Sequence, residues 1–120
     1  MTYLKTQLAA LIFALLVFMP AHADIEAALT EAMQSDVRTE AERGRDANRK
    51  PLETLQVFRL EADMRVLELM PGGGWYTRLL APVLADEGQL FVAIGTQRVE
   101  GMVADGTLSD VEVVAIEGEF

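Results

Sequence analysis

Residues 65–84 read RVLELMPGGGWYTRLLAPVL, and this stretch decides the fold. Val66, Leu67 and Leu69 form a short aliphatic run, while Tyr76, Leu79, Leu80, Val83 and Leu84 recur at helical spacing. Between the two lie Pro71 and three successive glycines, Gly72, Gly73 and Gly74. The pattern predicts a strand, a tight loop and a helix. Glycine has no Cβ, so it takes positive φ at little cost and lets another molecule approach the main chain closely. The loop is therefore the expected binding site. Pro82 falls inside the helix, where its missing N–H favours a kink or an early end.

Towards the C-terminus, Asp86-Glu87-Gly88 closes that helix and Leu90 to Ile94 reads as a second buried strand. Gln97 to Ala104 predicts a short helix interrupted by Gly101, Asp105-Gly106 a turn, and Val111 to Ile116 a third strand. Strand, helix, strand, helix, strand at this spacing predicts an α/β fold. Its form is a partial Rossmann-like doubly wound parallel sheet of about three strands, preceded by N-terminal helices. The first strand is apolar at successive positions, which predicts a sheet covered on both faces. Glu68 is the exception in that strand and requires a partner. The chain ends soon after the third strand, where a crossover helix is expected. That predicts the N-terminal part of a longer protein, or a truncated product.

Towards the N-terminus, Lys50-Pro51 marks a boundary, since proline disfavours helix before it and suits a first helical turn. Leu52, Leu55 and Phe58 then predict a helix from Pro51 to Leu60, with Glu61 to Met64 turning into the first strand. From Ser35 to Lys50 the chain is polar, with Arg38, Arg43, Arg45, Arg49 and Lys50 interleaved with Asp36, Glu40, Glu42 and Asp46. Such mixed charge suits a solvated helix or linker. The alternative is that some of these arginines fold over a ligand pocket, because a guanidinium fork matches a carboxylate. Before it, Asp24 is placed to cap a helix whose apolar stripe is Ile25, Ala28, Leu29, Ala32 and Met33.

Residues 1–23 have the layout of a secretory signal peptide: Lys5 near the start, the apolar run LAALIFALLVFMP, and the small-x-small site Ala21-His22-Ala23. Cleavage before Asp24 is expected, giving an exported, periplasmic or secreted protein with no membrane span. The alternative is an uncleaved membrane anchor. The expected organisation is thus 1–23 leader, 24–50 charged helical segment, and 51–120 the α/β part.

Cleavage removes Lys5 and the only histidine, leaving nine basic against nineteen acidic side chains. An acidic surface of that kind repels nucleic acid and anionic lipid, and no basic stripe is present. The 120-residue sequence contains no cysteine. Export would permit disulfides, yet the fold must rest on its core alone. With neither His nor Cys after cleavage, the usual zinc sites, Cys nucleophiles and His-based triads are excluded, and no EF-hand pattern supplies a metal site.

Spacing separates the nucleotide-binding readings of the loop. A Walker loop needs Lys followed by Ser or Thr after its last glycine, but Trp75 and Tyr76 follow Gly74. The dinucleotide fingerprint would begin at Gly72 and place Thr77 at its last glycine, where a side chain hinders helix packing. VLELMPGGGWYT instead resembles the first motif of the class I S-adenosylmethionine-dependent methyltransferases. Glu68 matches its acidic position, Gly72 and Gly74 its last two glycines, and Met70 stands where its first glycine would be. More narrowly, the chain after residue 23 is similar to a group of exported bacterial predicted methyltransferases. The similarity rests on Arg45-Asp46, Arg49-Lys50-Pro51, Glu68-Leu69, Pro71 to Thr77 and Leu80-Ala81-Pro82.

The resemblance implies S-adenosylmethionine as a small-molecule cofactor, with the main chain of Gly72, Gly73 and Gly74 against its methionine part and Glu68 near its amino group. Trp75 and Tyr76 complete the implied site. Family members carry an acid at the end of the second strand for the ribose hydroxyls, and here that strand ends Ala93-Ile94-Gly95-Thr96. The resemblance implies that the family's fourth and fifth strands, which complete the pocket and carry substrate contacts, would lie beyond Phe120, so no catalytic residue is expected in this chain. Methyl transfer needs mainly positioning and exclusion of water, which gives no clue to the acceptor. Each residue also has a plainer reading. Glu68 can cap, or pair with an upstream arginine, since a carboxylate beside a buried strand needs a charged or hydrogen-bonding partner; Trp75 and Tyr76 can be core, and the glycines can serve the turn alone. A non-catalytic binding protein that retains the fold is the second expectation.

Overall fold

The computed structural model describes residues 21–116. The expected leader therefore lies outside the described residues except for its last three positions. The chain opens with helix α1, Ala21–Gln34, which buries Ile25, Leu29 and Ala32. Asp24 sits in its first turn rather than at its cap, where a carboxylate still complements the helix dipole. Two four-residue helices follow, α2 at Glu40–Arg43 and α3 at Asp46–Arg49. Thr39 and Glu42 form a reciprocal capping box that starts α2. Lys50 then turns left-handed, at φ 46°, and Pro51 opens helix α4, Pro51–Val57.

Helix α4 is shorter than the expected Pro51–Leu60, and Phe58 is 74% exposed instead of joining Leu55 in the core. The left-handed turn at Arg59, φ 55°, ends the helical path before Phe58 can face inward. Leu60 then enters the core.

Strand β1, Arg65–Leu69, leads through the glycine loop to α5, Thr77–Leu84. Strand β2, Gln89–Ala93, follows, then α6, Gln97–Ala104, and β3, Val111–Val113. The three strands are parallel in the order β1-β2-β3, with Val66 opposite Leu90 and Leu90 opposite Val111. This is the expected α/β architecture, a partial Rossmann-like sheet preceded by helices. The third strand stops at Val113, short of the expected Ile116, after one further main-chain bond from Val114 N–H to the Val92 carbonyl.

Among the described residues the sheet is covered on one face only, where the expectation was two. Leu90, Val92 and the buried residues of α1, α5 and α6 share a single core, with Val66 packed against it. On the opposite face Leu67 and Leu69 are each 52% exposed, and the Arg65 guanidinium lies 5.1 Å from the Phe91 ring centre. An aliphatic run is read as two-sided burial because sequence does not show whether a second layer exists.

Candidate functional site

The glycine loop leaves β1 at Met70, whose N–H donates to the Ala93 carbonyl at 2.9 Å. The loop therefore opens where the carboxyl ends of β1 and β2 lie side by side, the usual place for a ligand crevice in an open α/β sheet. Gly72 and Gly74 have φ of 57° and 83°, and the turn closes with the Gly74 N–H on the Pro71 carbonyl at 2.9 Å. The glycines differ in what surrounds them. A Cβ on Gly74 would sit 2.6 Å from the terminal methyl of the flexible Met102 side chain of α6, so the left-handed φ rather than packing is what favours glycine here. Gly73 would meet no atom within 4 Å, and Gly72 only the Met70 carbonyl at 4.0 Å. That side of the loop is open for a ligand.

Met70, the departure from the glycine motif, is itself left-handed at φ 53°, as is Ile94 at φ 65°. The chain thus takes at Met70 a conformation that favours glycine, at a cost of about 1–2 kcal/mol for an ordinary side chain. For the β-branched Ile94 such a conformation is rarer still. Strain placed at two adjacent strand ends is typical of a functional edge.

Glu68 is half-buried and accepts a hydrogen bond from Thr77 Oγ1 at 2.7 Å, at the first residue of α5. No arginine pairs with it among the described residues, so the plain ion-pair reading fails. Burial pushes the Glu68 carboxyl above the ordinary glutamate value of 4.5, partly offset by the Thr77 hydroxyl. A folded-state pKa above the unfolded one means that the native state binds the proton more readily. Stability therefore falls as pH rises from 4.5 through the folded pKa, then levels off. Urea titrations across that window should show the loss in the wild type, and Glu68→Gln should flatten it.

Part of the charged segment lies against the loop, while Arg43, Arg45, Arg49 and Lys50 remain solvent-exposed. Arg38 is wholly buried and its guanidinium grips Asp46 through two bonds of 2.8 and 2.6 Å. Arg78 pairs with Glu42 and also donates to the Gly73 carbonyl at 3.0 Å, tying α2 to the loop. Trp75 is 5% exposed and donates its indole N–H to the Glu42 carbonyl at 3.0 Å. Its ring lies beneath the Arg49 guanidinium at 4.7 Å, with Tyr76 edge-on at 4.7 Å. Trp75 is thus both core and wall.

These pieces enclose a cavity of about 370 Å³ lined by Glu42, Arg45, Arg49, Glu68 to Gly73, Trp75 and Tyr76. The size lies within the range of about 300–1,000 Å³ common for small-molecule sites. All of the expected site residues line it except Gly74, which supports it from behind. Glu42, Arg45 and Arg49 join them from a segment whose composition alone suggested solvent; the alternating arginines were the available signal.

A larger groove of about 1,010 Å³ runs between α1, Glu61–Asp63 and the end of α5. It carries seven carboxylates and no basic side chain, and none of the loop residues reaches it. No group of acidic side chains among the described residues is arranged to hold a metal ion. No described helix is long and apolar enough to cross a membrane.

No protein-family model, no curated protein and no solved structure matches the chain.

Proposed function

We propose that this is an exported S-adenosylmethionine-dependent methyltransferase-like protein, and that the cavity at Gly72 and Gly73 binds the cofactor. The observation that carries the reading is the pairing of an open glycine turn with Glu68, a carboxylate that has a hydroxyl but no cation beside it. The resemblance of VLELMPGGGWYT to the methyltransferase motif supplies the identity of the ligand.

The residues present fit the methionine end of that cofactor. Glu68 would accept the ammonium group, the main chain of Gly72 and Gly73 would lie along the aliphatic part, and Tyr76 and the buried Trp75 would keep water out. When bound, the cofactor would supply a sulfonium-activated methyl for transfer to a nucleophile. This chain's part is to hold the methyl in line and keep the site dry. The end of β2, Ile94-Gly95-Thr96, offers no carboxylate for the ribose hydroxyls. That feature favours the second reading, a non-catalytic protein that uses the same cavity for binding alone.

Calorimetric titration with S-adenosylhomocysteine tests the proposal. Saturable binding is expected, with a loss of about five- to thirtyfold in Gly72→Val, because a β-branched side chain disfavours the left-handed turn by about 1–2 kcal/mol. Gly72 is the cleaner variant, since Gly74→Val also strikes Met102. Absence of binding by the wild type would overturn the cofactor assignment and leave the non-catalytic reading.

A further inference from the structure

Four charged side chains line the cavity: Glu42, Arg45, Arg49 and Glu68. Glu42 is already committed to Arg78, and the neighbouring Asp46 to Arg38. Neither Arg45 nor Arg49 makes an ion pair or a side-chain hydrogen bond among the described residues. After internal pairing, two guanidinium groups and one carboxylate face the cavity without ionic partners. Arg45 and Arg49 are solvent-exposed while Glu68 is half-buried, so a ligand carboxylate can reach the two arginines directly.

We infer that Arg45 and Arg49 form a carboxylate-binding pair that, with Glu68 in the same lining, makes the cavity a receptor for the zwitterionic head of an α-amino acid. The inference rests on the proposed cofactor reading, whose ligand ends in such a head. It goes further in assigning recognition to the segment before the sheet. Arg45 and Arg49 are four residues apart across one helical turn, so both can reach the same group. Arg49 is held in place against the Trp75 ring. The Arg38–Asp46 and Arg78–Glu42 pairs consume the carboxylates that would otherwise neutralise the two arginines. A planar guanidinium offers a carboxylate two parallel hydrogen bonds, which a lysine does not.

The test compares S-adenosylhomocysteine with its decarboxylated analogue, which keeps the amine, by calorimetry on the full chain. Removal of the carboxylate should weaken binding by roughly ten- to a hundredfold. Arg45→Gln and Arg49→Gln should weaken S-adenosylhomocysteine to a similar extent and leave the analogue unchanged, with thermal melts matching the wild type. Equal affinity of the two ligands for the wild type overturns the inference without need of any variant. So does an equal loss for both ligands in the variants. If neither nucleoside binds, the cofactor reading fails by itself, and free L-methionine is compared with its decarboxylated amine. Preference for the amino acid then upholds the arginine pair, and binding of neither, or of both equally, removes it.

Discussion

Asp46→Ala is expected to lower the unfolding free energy by about 3–5 kcal/mol, the usual cost of stripping the counter-ion from a buried charge. The Arg38 side chain has no exposed surface, its Nε has no hydrogen-bond partner, and apart from Asp46 only the Met33 carbonyl receives a bond from its guanidinium. Without Asp46 the cation has to swing out through the packing around Trp75 or remain unpaired. Arg38→Met should cost less, because the aliphatic side chain still fills the space and Asp46, 16% exposed, can turn to water. Urea unfolding of the two variants measures the difference. A domain of this size has a total stability of only about 5–15 kcal/mol, so the alanine variant will stand near the edge of folding. A smaller loss for Asp46→Ala than for Arg38→Met would mean that the guanidinium is not held in a dry site.

Gly88→Ala should be the most damaging single-methyl change, although Gly88 is not among the positive-φ glycines and lies far from the cavity. Its added Cβ would stand 2.5 Å from the carbonyl oxygens of both Ala62 and Met64, and 3.0 Å from a Leu84 methyl. These oxygens belong to main chain, and the Met64 carbonyl is itself fixed by the Gln89 N–H at 3.0 Å. The methyl can be admitted only by moving the entry of β1 away from that of β2. The expected loss is about 1–3 kcal/mol, the range for overpacking a tight site, read as a lower urea midpoint. Gly101→Ala is the internal control. No atom lies within 4 Å of its Cβ and it sits inside α6, so alanine should leave stability unchanged or raise it by up to about 1 kcal/mol.

The strand, loop and helix from Arg65 to Leu84 were legible because three local signals coincide there: aliphatic run, glycines and helical period. The helix at Gln97–Ala104 was legible for the same reason despite Gly101, whose added Cβ would meet nothing. The bare face of the sheet was not, because Leu67 and Leu69 read as buried whether or not a second layer is present. Phe58 misled in the same manner: its helical spacing from Leu55 is correct, but the chain leaves the helix one residue too soon. The fold of the charged segment lay beyond local pattern altogether. Arg38 and Asp46 are eight residues apart on separate short elements, and Glu42 meets Arg78 from the far side of the sheet entry. Pairings of that kind depend on tertiary geometry. At the site, Glu68 was recognisable as an anomaly in an apolar strand, while its partner Thr77 became apparent only once the loop had brought α5 back beside β1.

A small molecule with an adenosyl-amino-acid structure bound between the glycine loop and Arg45 and Arg49 should be visible in amide NMR of the isotope-labelled chain titrated with S-adenosylhomocysteine, which reports both binding and place. Saturable shifts are expected at Glu68, Gly72, Gly73 and Tyr76 and at Arg45 and Arg49, with the acidic groove beside α1 unmoved. Shifts confined to that groove, or none at millimolar ligand, would rule the site out.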